Sequence, residues 1–108
     1  MSVKQNWKPA TELVHGGTMR SQFGETSEAI FLTQGYVYPT AEAAEARFKG
    51  EEPGFIYSRY ANPTNDMFEK RMCALEGAED ARATASGMAA VAAAILCSLK
   101  AGDHIVAA

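Results

Sequence analysis

The stretch that decides the fold is residues 75–108, LEGAEDARATASGMAAVAAAILCSLKAGDHIVAA. A modest strand pattern, DARATA at 80–85, ends where a Ser-Gly pair breaks it. The Ala- and Leu-rich residues 88–100 strongly favour a helix, and the apolar run HIVAA at 104–108 predicts a second strand. A strand, a helix and a strand in this order form a βαβ unit, so the sequence predicts an α/β fold with a parallel sheet.

The domain organisation follows from this unit. A parallel sheet is buried on both faces and needs more than two strands, so we expect an incomplete domain. Residues 63–108 are predicted to begin the α/β domain, starting with a helix at 64–76. Residues 1–62 are predicted to form an arm and interface segment. Residues 1–30 show no strand or helix period and suggest an extended arm, while the apolar and aromatic cluster at 30–38 lacks a strand partner.

Capping signals place a second helix within the arm. Thr40 is a suitable N-cap, and Gly50 ends the helical run TAEAAEARFKG. The residues that follow, EEPGFIYSRYANP at 51–63, contain two prolines and a glycine and predict a loop.

Composition excludes several classes of function. The chain has 108 residues, 47% of them hydrophobic, a net charge of -3 and scattered basic residues, so neither nucleic acid nor a membrane is an expected partner. The weakly polar run at 88–99 is shorter than the ~20 residues that span a bilayer. The N-terminus has no apolar leader pattern, so we expect a cytoplasmic protein. Cys73 and Cys97 have no metal-ligand spacing, so no metal site is predicted.

The turn Ser86-Gly87-Met88 is the first candidate binding site. It is predicted at a helix N-terminus, where free backbone N–H groups and the helix dipole favour an anion and a glycine lets it approach closely. The alternative is an ordinary tight turn between a strand and a helix, since most such turns bind nothing. The turn lacks the glycines of a dinucleotide site and the lysine of a nucleoside triphosphate site.

The second candidate site is the loop around Tyr57 and Arg59. A planar guanidinium and a phenol that lie two residues apart on an extended backbone face the same side and can address one anion. The alternative is a solvated arginine among interface tyrosines, because Tyr and Arg are also common in interfaces. The residues alone leave both interpretations open.

Three motifs together resemble a known family: YSRYANPT at 57–64, LEGAEDARATASGMAA at 75–90 and AGDHIVAA at 101–108. They are similar to the start of the cystathionine synthase and lyase group of Cys/Met metabolism enzymes, which use pyridoxal 5'-phosphate (PLP). The resemblance covers nearly the whole chain and is strongest from Phe55 onward. It implies the aspartate aminotransferase-like fold (fold type I), of which this chain supplies the arm and the first βαβ unit of the large domain.

The resemblance also assigns cofactor-binding residues. In that family the Tyr and Arg of the YSR motif reach across a subunit interface to the cofactor phosphate, which here implies Tyr57 and Arg59. The Gly and Met of the SGM motif donate backbone N–H groups to the phosphate of their own subunit, implying Gly87 and Met88 with Ser86 beside them. No catalytic residue is implied within this chain, because none of its lysines matches the family's Schiff-base motif: Lys4, Lys8, Lys49, Lys70 and Lys100.

Within the family, residues 13–48 are most similar to the bacterial enzymes that replace the succinyl group of O-succinylhomoserine by sulfide and so form homocysteine for methionine biosynthesis. This similarity implies an acylated homoserine and sulfide as substrates, and a homo-oligomer, a dimer of dimers, that shares sites between subunits. Cystathionine γ-synthase and methionine γ-lyase are the alternatives within the family. A non-catalytic interaction module is the alternative from another class.

Overall fold

A computed structural model describes residues 6–107 and places four helices along them. Their bounds are α1 (Pro9–His15), α2 (Ala41–Lys49), α3 (Pro63–Glu76) and α4 (Gly87–Leu96). The Cα radius of gyration is 17.2 Å, whereas a compact domain of about this length has ~13 Å. The helices therefore do not surround one common core. None of them combines the length and the apolar character that a membrane crossing requires.

Capping residues mark the ends of α2 and α3 as the sequence predicts. The Thr40 hydroxyl accepts a hydrogen bond from the Ala43 amide at 3.1 Å and begins α2. Gly50, with φ +75°, and Gly77, with φ +63°, end α2 and α3 in the left-handed conformation that glycine adopts without steric cost. The predicted helices at 40–50 and 64–76 are confirmed.

Neither predicted strand forms within residues 6–107, which corrects the βαβ prediction. Residues 80–85 and 104–107 form neither strand nor helix, and Ala108 lies outside the described residues. A strand exists only through hydrogen bonds to a neighbouring strand, and local sequence cannot supply that neighbour. The first of these segments is held to α3 instead, because the Glu69 carboxylate accepts the Ala83 amide at 2.7 Å.

Helix α4 is shorter than predicted and lies uncovered. It begins at Gly87 and ends at Leu96, although the helical pattern continued to Lys100. A helix that is apolar on all sides is normally buried, but within residues 6–107 no element covers it. Its large side chains are 43% to 76% exposed: Met88, Val91, Ile95 and Leu96.

Helix α1 was not predicted and lies in the segment expected to be an extended arm. Pro9 occupies its first turn, where the missing N–H costs nothing, and Glu12 lies near the positive end of the helix dipole. The helix has only 7 residues, which is too few for an apolar period to show in the sequence.

Helix α1 and the chain after it pack against α3. Met67 of α3 is only 1% exposed and is the buried apolar residue of this contact region. Arg71 of α3 donates from Nε to the Gly16 carbonyl at 2.9 Å and from a terminal nitrogen to the Glu28 carboxylate at 2.8 Å. This charge-assisted hydrogen bond lowers the pKa of Glu28. The arm is therefore fixed to α3 by a guanidinium that bridges two of its segments.

Gly17 is the tightest point of this packing, and its replacement by alanine is expected to lower the thermal midpoint of the full-length protein. Its φ is +69°, and an added Cβ would lie 2.9 Å from both the Lys70 Cβ and the Met67 carbonyl oxygen. The positive φ alone costs a non-glycine residue about 1–3 kcal/mol, and the contact with backbone adds to it. Differential scanning fluorimetry measures the shift.

Gly24 provides the matched control, because its φ is +65° but an added Cβ meets nothing within 4 Å. Gly24→Ala should therefore lower the midpoint less than Gly17→Ala. Equal shifts for the two variants would refute the contribution of the close contact.

The cluster at 30–38 finds its partners in residues 48–58. The Tyr36 and Phe55 ring centroids are 5.5 Å apart, and an isolated antiparallel bridge joins Gly35 to Tyr57. Tyr38 packs similarly against Phe48 at 6.3 Å. The aliphatic members of the cluster stay 73% to 95% exposed: Ile30, Leu32 and Val37.

Candidate functional site

The N-terminus of α4 presents free backbone donors. Ser86 is the N-cap, and its hydroxyl oxygen accepts the Ala89 amide at 3.2 Å. Its carbonyl accepts the Ala90 amide at 3.1 Å and the Thr84 hydroxyl at 2.8 Å. Among the described residues, the Gly87 and Met88 amides have no acceptor. The predicted anion site is thus the N-terminus of α4, called the helix mouth below, where two backbone N–H groups have no hydrogen-bond acceptor.

Space is available at this helix mouth. A Cβ built on Gly87 meets no heavy atom within 4 Å, so a ligand atom can approach the backbone there. The helix dipole adds partial positive charge to the same place, and the first turn carries no acidic side chain to oppose an anion. This site can bind a phosphate through N–H donation without any charged side chain of its own.

The loop at 57–60 is a turn, which corrects the extended geometry assumed from the sequence. The Tyr60 amide donates to the Tyr57 carbonyl at 2.9 Å, and the Ala61 amide donates to the same oxygen at 3.1 Å. The Arg59 Cζ lies 5.4 Å from the centroid of the Tyr57 ring and 5.3 Å from that of the Tyr60 ring. Cation–π contact within a turn, and not a strand-like backbone, brings the phenol and the guanidinium together.

Arg59 differs from the other arginines of the chain. Its side chain is exposed and, among the described residues, makes no hydrogen bond or salt bridge. The other arginines all donate to carboxylate or carbonyl oxygens: Arg20, Arg47, Arg71 and Arg82. A guanidinium has a fork of five donors that suits a phosphate. Arg59 therefore retains its donors for a ligand.

Sequence reasoning missed Asn62, which anchors this turn. Asn62 is 7% exposed and is the N-cap of α3, with its side-chain oxygen accepting the Thr64 amide at 2.9 Å. Its Nδ2 donates to the Phe31 carbonyl at 3.0 Å and to Ser58 Oγ at 2.9 Å. The Asn-Pro-Thr sequence does predict an N-cap followed by proline at the start of a helix. It does not predict the hydrogen bonds of Asn62 to residues about thirty positions away.

The two candidate anion-binding groups, the turn at 57–60 and the helix mouth at 86–88, are not linked to each other by a hydrogen bond or salt bridge within residues 6–107. The described residues also contain no group of three or more His, Cys, Asp or Glu side chains that could hold a metal ion.

Comparison with known proteins assigns the chain to a family. The model of the Cys/Met metabolism PLP-dependent enzymes matches residues 10–108, nearly the whole chain. The chain belongs to this family. The resemblance seen in the YSR and SGM motifs is therefore confirmed at the level of the family.

Several members of the Cys/Met metabolism family are similar in sequence. An O-succinylhomoserine sulfhydrylase of Mycobacterium tuberculosis is 54% identical over 92% of this chain, and one of Pseudomonas aeruginosa is 52% identical over 89%. An L-methionine gamma-lyase of Porphyromonas gingivalis is 44% identical over 91%. The chain spans about a quarter of the length of these relatives, 24% for both sulfhydrylases.

A solved structure shares the fold of the chain. A Campylobacter jejuni protein described as an O-acetylhomoserine (thiol)-lyase matches with a TM-score of 0.75 and 35% identity, over 79% of this chain and 21% of that one. It carries N'-pyridoxyl-lysine-5'-monophosphate. The arrangement of helices and loops described above is thus that of part of a PLP enzyme in the Cys/Met metabolism family.

PLP is the cofactor of this family, and the residues of the chain fit its phosphate. The fit rests on the two acceptor-free amides and the open space at Gly87, and on the uncommitted guanidinium of Arg59. Both features are donors without opposing carboxylates, as a dianionic phosphate requires.

Proposed function

We propose that the chain is part of a PLP-dependent sulfhydrylase that makes homocysteine from O-succinylhomoserine and sulfide in methionine biosynthesis. In this enzyme residues 1–62 form the arm and interface segment, and residues 63–108 begin the α/β domain of fold type I. The observation that carries the proposal is the pair of donor groups prepared for phosphate, in a chain 54% and 52% identical to two sulfhydrylases.

The cofactor phosphate is bound by donors from two subunits. The Gly87 and Met88 amides donate to the phosphate of their own subunit, with Ser86 positioning them as N-cap. Tyr57 and Arg59 of a neighbouring subunit approach the same phosphate, and the enzyme is a homo-oligomer, a dimer of dimers.

The residues of this chain bind and orient the cofactor, and the cofactor supplies the reaction chemistry. When bound, PLP supplies an electron sink that makes the γ-substituent of an amino acid replaceable. The helix dipole and the N–H groups of α4 fix one end of the cofactor by its phosphate, and the fixed end sets where its reactive end lies.

A substrate comparison tests the proposed reaction. The full-length protein that carries this chain, loaded with PLP, should form homocysteine from O-succinylhomoserine and sulfide. The kcat/KM should exceed that for L-methionine breakdown by at least roughly tenfold, since a site shaped for one substrate discriminates by about this factor or more. Homocysteine and 2-oxobutanoate are quantified by chromatography. Faster release of 2-oxobutanoate from methionine would contradict the proposal.

A methionine γ-lyase is the second candidate, and it is favoured by the 44% identity to the Porphyromonas gingivalis enzyme. The same assay identifies it by elimination without sulfide. Cystathionine γ-synthase is identified by adding cysteine in place of sulfide. A non-catalytic interaction module is identified by the absence of bound PLP in the purified full-length protein.

A further inference from the structure

We propose that Ser58 and Asn62 are positioning residues that hold Tyr57 and Arg59 in their phosphate-binding turn. This inference rests on the proposed function of Tyr57 and Arg59 and extends it to residues that do not themselves touch the cofactor. It is carried by a hydrogen-bond cluster that joins the turn to the segment at 31–36.

Ser58 lies between the two phosphate-binding residues and is fixed at both its backbone and its side chain. Its amide donates to the Gln34 carbonyl at 2.9 Å. Its hydroxyl donates to the Thr33 carbonyl. A serine hydroxyl has one hydrogen, so the Tyr36 hydroxyl, 3.3 Å away, is the donor in its contact with Ser58.

Asn62 uses its amide group fully in the same cluster. An Nδ2 group has two hydrogens, and the shortest contacts take both: the Phe31 carbonyl at 3.0 Å and Ser58 Oγ at 2.9 Å. The side-chain oxygen accepts the Thr64 amide at 2.9 Å. Asn62 is 7% exposed, so water cannot replace these partners without cost.

The segment that receives the turn is itself held by α3. The Phe31 amide donates to the Thr64 hydroxyl at 2.8 Å, and the Phe31 carbonyl accepts from Asn62. Both backbone groups of Phe31 are therefore bound at the start of α3, one to its N-cap and one to its first turn. The turn is attached to the segment at 31–36, and this segment is attached to α3. The backbone of Arg59 is therefore fixed in position, although its side chain is exposed.

The cluster fixes the backbone on both sides of Arg59, while the rings of Tyr57 and Tyr60 restrict its side chain. A guanidinium held in advance loses less conformational entropy when it binds a phosphate.

Loss of the Ser58 hydroxyl removes the shortest contact of the Asn62 amide and leaves it the longer contacts to the Tyr36 hydroxyl at 3.4 Å and the Thr33 carbonyl at 3.5 Å. It also removes the hydrogen bond from Ser58 to the Thr33 carbonyl, and both losses loosen the turn. Loss of this hydroxyl should therefore weaken phosphate binding without removing any phosphate ligand.

The test compares PLP with pyridoxal, which lacks the phosphate, in titrations of the full-length apoprotein. Ser58→Ala should lower the affinity for PLP by about three- to tenfold, as loss of one neutral hydrogen bond does, and leave the affinity for pyridoxal unchanged. Ser58→Thr retains the hydroxyl and should restore PLP affinity. Asn62→Asp retains the helix cap but replaces the donors by a carboxylate oxygen that faces the Phe31 carbonyl, so it should lower PLP affinity at least as much as Ser58→Ala.

A double-mutant cycle locates the effect. In the Arg59→Ala background, Ser58→Ala should lower PLP affinity less than it does alone, because the positioned residue is gone. Equal losses for PLP and pyridoxal, or unchanged PLP affinity in both Ser58→Ala and Asn62→Asp, would overturn the positioning role. If Arg59→Ala itself leaves the PLP to pyridoxal ratio unchanged, the phosphate role of Arg59 fails first, and the positioning role fails with it.

Discussion

Arg59→Ala in the full-length protein is expected to weaken PLP binding by about 10- to 100-fold, because a hydrogen bond to a charged group contributes about 1.5–3 kcal/mol. The affinity for pyridoxal should not change, since Arg59 addresses only the phosphate. The thermal midpoint of the apoprotein should also stay within error, because the Arg59 side chain is exposed and makes no hydrogen bond or salt bridge within residues 6–107. Titration of apoprotein with cofactor measures both affinities.

Arg82→Ala is the matched control for this loss of charge. Arg82 is 71% exposed, but its guanidinium is paired with Asp80 at 2.7 Å and with Glu69 at 3.7 Å. It should leave PLP affinity within about twofold, since exposed ion pairs contribute little. Arg59→Lys keeps the charge but not the planar fork, and should recover part of the affinity. The phosphate role of Arg59 is rejected if Arg59→Ala and Arg82→Ala have the same effect.

Gly87→Ala is expected to weaken PLP binding by roughly tenfold or more while the fold is kept. In the free chain the added Cβ meets nothing within 4 Å, and alanine is a better helix former than glycine. The new methyl group would instead occupy the space through which the phosphate approaches the amides, and forced contact of this kind costs about 1–3 kcal/mol. Cofactor titration and thermal unfolding of the apoprotein are the two measurements.

For Gly87→Ala, PLP affinity should fall while the thermal stability of the apoprotein does not. The apoprotein should be as stable as the wild type or more stable, because glycine loses more backbone entropy on folding. Inorganic phosphate should protect the wild type, but not Gly87→Ala, against thermal unfolding. A variant that binds PLP as tightly as the wild type would exclude the helix mouth as the phosphate site.

The sequence predicted those elements whose signals are local. The helix ends at Thr40, Gly50 and Gly77 could be predicted, because a capping residue interacts only with its neighbours in the sequence. Helix α1 was missed because its 7 residues carry no apolar stripe. The strands predicted at 80–85 and 104–108 do not form within the described residues, because pairing depends on a partner strand, which no short window of sequence contains.

The same distinction holds for the site. Ser86 and Gly87 were placed correctly at a helix N-terminus because capping is a local property. The turn at Tyr57 was taken for an extended loop, since its hydrogen bonds and the stacking of Arg59 cannot be inferred from spacing alone. The contacts of Asn62 span 31 positions to Phe31 and were out of reach of any pattern.

The bridge between Gly35 and Tyr57 joins the two ends of the intervening segment, so this segment, which contains α2, is a closed loop. The closure entropy of such a loop changes slowly with its length, by about 0.6 kcal/mol for each doubling. Insertions or deletions of a few residues beside α2 can therefore be absorbed between the two bridged ends. A change in length here is expected to leave the turn that carries Arg59 in place.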